Sequence, residues 1–244
     1  TIGRVLVAHG YHEAITFSFM APALGELFLR DGERALVADD ERRKADPMLR
    51  PSLAPSLLIC RKSNQDVGNH GLRLFEAAAV WSRRGDQIVE RAALGLLCDA
   101  DDVQQGLRDM RGTLGELVEQ LSGRANVSFV PAEVANLATA ARVLVNERDV
   151  GYVGAIDDAC RDRFNLQTGA IIAELDLDFV LALYPPQHPV ADLPRFPGIE
   201  RDVSVVVDET VTWDRIEQLV RAADPALVEE LRYVVTYRGK QIPK

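Results

Sequence analysis

"LRLFEAAAVW" (Leu72–Trp81) and "VERAALGLLCD" (Val89–Asp99) are the two stretches whose reading decides the fold. Each is a short apolar run bounded by polar residues, and together they read as two strands joined by the loop "SRRGDQI". On their N-terminal side, "SLAPSLLICRKSN" reads as a helix over roughly 55–64, with Pro55 in its first turn. Further back, "EAITFSF" (Glu13–Phe19) alternates: Ile15, Phe17 and Phe19 on one side, Ala14, Thr16 and Ser18 on the other. That pattern predicts a half-buried strand. Ile2, Val5, Leu6 and His9 share a helical face before it, with Gly10 as the residue that ends the helix.

On the C-terminal side, "LGELVEQLSG" is a helix closed by Gly123. "ARVLVNERDVGYVGAI" (Ala141–Ile156) reads as a hairpin turning at Asn146 to Asp149. "AIIAELDLDFVLAL" (Ala170–Leu183) gives a strand and then a short helix. Sequential strands joined by tight turns predict an antiparallel sheet with helices packed on it, an α+β domain and not a doubly wound parallel one. No G-x-G-x-x-G or P-loop is present.

"PPQHPVADLPRFPG" (Pro185–Gly198) holds five of the chain's twelve prolines. Proline fixes φ and lacks a backbone donor, so this stretch suits neither a central strand nor a helix interior. It reads as an extended linker at 185–198, dividing a domain at 1–184 from a smaller piece at 199–244. In that piece "DVSVVVD" reads as a strand. "TWDRIEQLVRAAD" reads as an amphipathic helix, with Thr212 as N-cap and Trp213, Ile216, Leu219, Val220 and Ala223 on one face. "LVEELRYVVTYRG" reads as a second strand. A β-α-β unit of this kind matches the first half of a ferredoxin-like fold.

The composition is that of an ordinary globular chain: 244 residues, 47% hydrophobic and 27% charged. No apolar run approaches the roughly 18 residues of a transmembrane helix. The opening "TIGRVLVAHGYHEA" makes a poor signal peptide and reads as a helix joined part-way, so a chain start further upstream is expected. Cys60, Cys98 and Cys160 are far apart and form no Cys-x-x-Cys, which points to buried thiols in a reducing cytoplasm. The histidines show no metal-ligand spacing. A net charge of −9 gives no bulk basic surface, so any nucleic-acid role must rest on a local patch or a partner.

Several segments, in order, carry a resemblance. "GYHEAITFSF", "LRPSLAPSLL", Asn64 with "LFE", "DMRG", "FPGIERDVSVVVDE" and "YRGKQIPK" run through nearly the whole chain. Together they resemble the C-terminal part of the bacterial phenylalanyl-tRNA synthetase beta subunit. One departure stands at 136–145, where "NLATAARVLV" replaces the family's usual His-Pro-Gly-Arg. The resemblance implies a class II synthetase-like module at 1–184, with the start of a ferredoxin-like anticodon-binding domain after the linker. It implies an alpha-subunit partner in an α2β2 assembly, tRNA(Phe) as the nucleic acid, a cytoplasmic setting and no membrane. For the intact enzyme it implies ATP and Mg²⁺, and for this chain no cofactor of its own.

A working class II site needs one arginine on the motif 2 strand and another at the motif 3 helix, both to neutralise phosphate charge. By the resemblance "LFEAAAVW" holds the first position and "AELDLDFVLAL" the second, and neither contains an arginine. The expectation is a copy of the fold with no catalytic residues. Glu174, Asp176 and Asp178 read as a solvated strand end and helix start. Glu13 and Glu76 interrupt apolar strands and are expected in ion pairs. Arg83 and Arg84 read as a solvated hairpin turn, and Trp81 and Trp213 as anchors. The resemblance places a subunit interface at the first helix and strand, with Arg4, Tyr11, Glu13, Phe17 and Phe19 as its residues, and tRNA contacts at Arg201, Arg232, Arg238 and Lys240. Two other readings stand beside it: a free-standing synthetase paralogue that adenylates an amino acid, and a stand-alone tRNA-binding module. A substitute homodimer of the chain is also expected where the alpha subunit is absent.

Overall fold

The computed structural model describes residues 1–39, 44–188, 197–225 and 227–238. The chain divides into two compact units, Thr1–Val190 and Ala191–Lys244. The first unit opens with α1 (Ile2–Ala8), β1 (His12–Glu13), β2 (Phe19–Met20), α2 (Pro22–Gly25) and a 3₁₀ turn (Glu26–Phe28). β3 (Leu36–Val37), β4 (Met48–Leu49), α3 (Ala54–Asp66), β5 (Arg73–Arg84), β6 (Gln87–Ala100) and α4 (Val103–Ser122) follow. It closes with β7 (Val127–Pro131), β8 (Leu137–Val145), β9 (Arg148–Ile156), α5 (Asp158–Arg163), β10 (Gly169–Asp176) and α6 (Leu177–Ala182).

Seven strands form the main sheet in the order β1-β5-β6-β10-β9-β8-β7, antiparallel throughout except where β1 runs parallel to β5. The mixed α+β reading therefore holds. The hairpin that decided it is tighter than its sequence suggests. Arg84 pairs with Gln87, so only Gly85 and Asp86 turn, and most of "SRRGDQI" belongs to the ladder. Backbone pairing needs no apolar side chain, and Gly85, at φ +58°, supplies the left-handed first turn residue that a two-residue hairpin requires. The β8–β9 turn is likewise reduced to Asn146 and Glu147, with φ of +49° and +67°.

Two apolar layers enclose the sheet. One packs α1, α4 and α6 against Phe75, Leu94, Leu96, Val143, Val153, Ile171 and Leu175. α4 is capped by Asp102, which accepts the Gln105 N–H, and is ended by Gly123 at φ +75°. The other layer packs α3 and α5 against Leu74, Leu97, Ile156, Ala170 and Ile172. β7 and the small β2-β4-β3 sheet are elements the apolar pattern did not announce. Gln187 N–H reaches the Ser122 carbonyl at 2.8 Å at the start of the proline-rich stretch. The middle of that stretch, 189–196, lies outside the described residues.

Three expectations are corrected. β1 ends at Glu13, so "EAITFSF" is not the continuous strand expected, and the side it exposes is the apolar one: Ala14 is 9% exposed, whereas Ile15 is 95% and Phe17 90% exposed. The cause is that polar Thr16 has partners inside, whereas Ile15 and Phe17 have none among the described residues. Glu174 is not solvated; it is 1% exposed, while Asp176 and Asp178 are at the surface, Asp176 capping α6. In the second unit the helix stands as α7 (Trp213–Ala223), with Thr212 accepting the Arg215 N–H. The flanking segments at 202–208 and 227–238 are not strands among the described residues, and no described residue there is buried. In a ferredoxin-like order the first and second strands are not neighbours, so neither can complete the other's ladder.

Candidate subunit interface and a filled sheet face

The α3 face of the sheet is where the resemblance would put reacting groups. One row of cross-strand neighbours crosses it: Glu76 on β5, Gly95 on β6, Glu174 on β10, Tyr152 on β9 and Arg142 on β8. Two of these are buried carboxylates, and each is matched by hydrogen bonds, as burial of charge demands. Glu174 accepts from Ser52 Oγ at 2.6 Å and Leu53 N–H at 2.7 Å, and lies 3.5 Å from the Arg30 guanidinium. Glu76 accepts from Arg50 at 3.0 Å, and Arg50, 2% exposed, also donates to the Ala79 carbonyl. The ion pair expected for Glu76 is therefore present. Glu13 is exposed and makes none among the described residues.

Between the two carboxylates the face is occupied by α3. A side chain at Gly95 would meet Leu53 Cβ at 2.7 Å and Leu57 Cδ1 at 3.1 Å, so glycine is what lets the helix start lie on the sheet. Nearby, Arg91 pairs with the buried Glu33 at 2.5 Å, and Arg84 lies 3.5 Å from the same carboxylate. Burial would raise the Glu33 pKa, but the hydrogen-bonded Arg91 guanidinium outweighs it and holds the carboxyl below its usual range. A nucleotide does not fit here. The arginines are consumed by carboxylates, the space is filled by leucines, and a triphosphate would face Glu76 and Glu174. The clefts at Arg61–His70–Asp101–Thr168 and at Ser122–Asn146–Gln187 are lined by other residues.

The expected interface residues do not share one environment. Arg4, Glu13 and Phe17 are exposed and Phe19 is half-buried. Tyr11 is core: it is 1% exposed, its hydroxyl donates to Met110 Sδ at 3.4 Å, and Arg73 stacks 5.9 Å from its ring. Burial pushes its hydroxyl pKa up. Ile15 is the residue the sequence reading missed. Its alternation with Thr16 and Phe17 was visible, but which side faced inward was not. Val7, on α1, is 61% exposed.

Of the expected RNA contacts, Arg201, Arg232 and Arg238 are exposed and Lys240 lies outside the described residues. Arg232 forms a two-pronged pair with Glu230 at 2.6 and 2.9 Å, and Arg238 does so with Glu209 at 2.7 and 3.2 Å. These hydrogen bonds lower the pKa of both carboxyls. Trp213 meets Tyr233 edge-on at 5.5 Å. Among the described residues no group of His, Cys, Asp and Glu could hold a metal, and no helix is long and apolar enough to cross a membrane.

Comparison with known proteins agrees with this architecture. Residues 1–177 match the family described as the phenylalanyl tRNA synthetase beta chain CLM domain. Residues 194–244 match the ferredoxin-fold anticodon binding domain. Among the similar relatives are the phenylalanine–tRNA ligase beta subunits of Coxiella burnetii, 28% identical over 98% of this chain, and of Thermotoga maritima, 26% identical over all of it. The chain spans about a third of the length of these relatives, 31% and 32% respectively. A pyrrolysyl tRNA synthetase from Desulfitobacterium hafniense shares the fold, with a TM-score of 0.61 at 13% identity over 75% of this chain and 64% of that one. The chain belongs to the phenylalanyl-tRNA synthetase beta chain family.

Proposed function

We propose that this chain is a structural and tRNA-positioning part of a phenylalanine–tRNA ligase, acting in the cytoplasm and carrying no catalytic residues of its own. Residues 1–184 form a class II synthetase-like module, 185–198 a linker, and 199–244 part of a ferredoxin-fold anticodon-binding unit. The module docks on the catalytic alpha subunit in an α2β2 assembly, and the alpha subunit holds ATP and Mg²⁺ and joins phenylalanine to tRNA(Phe). The observation that carries this reading is the contrast between the two surfaces. The face where chemistry would occur is packed with leucine and paired carboxylates, while Ile15 and Phe17 stand out in solvent at 95% and 90% exposure. Large apolar side chains so exposed suit a subunit interface.

Arg201, Arg232, Arg238 and Lys240 are assigned to tRNA phosphate. The carboxylate partners of Arg232 and Arg238 are surface groups whose pairing is weak, and a phosphate backbone competes well for an arginine. The test mixes the chain with the matching alpha subunit at micromolar concentration and measures mass in solution. A heteromeric species is expected; its absence, or a homodimer alone, counts against the assembly. Amino-acid-dependent pyrophosphate exchange by the chain alone would instead make it a free-standing enzyme.

A further inference from the structure

The segment that carries Ile15 and Phe17 is tied down at every second residue. Ala14 N–H donates to the Phe75 carbonyl at 2.7 Å, and the Ser18 carbonyl accepts Arg50 N–H at 2.9 Å. Thr16, between them, is held three ways at once. Its N–H donates to Glu76 Oε1 at 3.2 Å and its hydroxyl to Glu76 Oε2 at 2.6 Å. The same hydroxyl accepts from Arg50 at 2.7 Å, and Arg50 closes the ring onto Glu76 at 3.0 Å. Arg50 is itself anchored, since its carbonyl accepts Trp81 N–H at 2.8 Å.

In an extended segment alternate side chains point to opposite faces. With Ala14 buried and the Thr16 side chain held inward by Glu76 and Arg50, Ile15 and Phe17 face outward. We propose that the buried Arg50–Glu76 pair, acting through Thr16, is a positioning device that presents Ile15 and Phe17 to an apolar surface of the alpha subunit. The inference rests on the subunit reading above. Two considerations favour it over a purely structural role. A buried ion pair is in general no more stabilising than well-packed apolar residues of the same volume, so stability alone gives little reason for Arg50 and Glu76. And what an apolar pair could not do is hold a threonine hydroxyl as donor and acceptor together. A segment ordered before binding also loses less freedom when the partner arrives.

The test titrates the full chain with the alpha subunit and compares wild type, Thr16→Val, Thr16→Ser and Val153→Ala. Val153 is a core residue, 1% exposed, and its truncation lowers stability without touching the segment. Thr16→Val is expected to weaken association at least tenfold, about 1.4 kcal/mol, with Thr16→Ser restoring it. Val153→Ala is expected to lower the urea midpoint with little change in affinity. Thr16→Val binding as wild type, or losing no more than Val153→Ala, overturns the positioning role and leaves the subunit reading standing. Wild type that fails to bind overturns both.

Discussion

Glu174, on the central strand β10, accepts the backbone N–H of Leu53 at 2.7 Å, at the position that opens α3. Leucine has no side-chain acceptor with which to cap a helix, and the first N–H groups of a helix have no partner within it. Here a strand supplies the cap. Ser52 joins it by donating to Glu174 Oε2 at 2.6 Å and accepting Ala54 N–H at 3.1 Å. The negative charge also lies at the positive end of the helix. Glu174 thus seats α3 on the sheet face.

Glu174→Ala should therefore destabilise the chain by about 2–3 kcal/mol, because it leaves the buried Leu53 amide and the buried Ser52 hydroxyl proton without an acceptor. Glu174→Gln keeps an acceptor and should lose less than half of that. Urea unfolding of the two variants beside wild type measures both. Equal losses would show that charge, not hydrogen bonding, is what matters at this site.

Gly95→Ala should be costly for a residue so small. The added methyl meets Leu53 Cβ at 2.7 Å, and overpacking of a tight contact costs about 1–3 kcal/mol. Leu53→Ala should not rescue it, since the clashing atom is Cβ and alanine retains it. A double-mutant cycle by urea unfolding checks this; recovery of wild-type stability in the double variant would contradict the contact.

Ile15→Asp with Phe17→Asp should leave the stability of the isolated chain within about 0.5 kcal/mol, because both side chains already face water. The same double variant should abolish the heteromeric species formed with the alpha subunit. Light scattering and urea unfolding on one preparation separate the two effects. A large loss of stability would place these side chains inside the fold.

Cys98 provides a test at alkaline pH. Burial pushes its thiol up to about 11, above the ordinary thiol value. The folded state thus favours the protonated thiol, and the stability this contributes is complete below about pH 9 and declines as pH rises towards about 11. Urea midpoints from pH 8 to 11 should fall, and Cys98→Ala should reduce the fall. Under native conditions at pH 8 an alkylating reagent should reach half-buried Cys60 before Cys98 or Cys160, which mass spectrometry can count.

Much of the fold was legible in short-range pattern. The β5–β6 pair, α3, α4 with Gly123, the β8–β9 turn and α7 with Thr212 all announce themselves through apolar runs, caps and turn residues. Those signals act between near neighbours in sequence and need no knowledge of the rest of the chain. β7 was missed because its alternation is short and half-exposed. The 202–208 and 227–238 segments were read as strands because their apolar pattern is strong, yet a strand exists only when something pairs with it. The absence of an arginine in "LFEAAAVW" and "AELDLDFVLAL" was equally legible, since it is a matter of composition.

The sequence by itself determined the α+β class, the family resemblance and the absence of phosphate-binding arginines from the two motif positions, because each depends only on residue type and local spacing. Tertiary structure alone decided which side of "EAITFSF" faces inward and what Glu174 does. Alternation defines two faces of a segment but does not choose between them. Arg50 and Glu76, 26 positions apart, make that choice by gripping Thr16. Glu174 is joined to Leu53 across 121 positions by a fold that no local pattern contains.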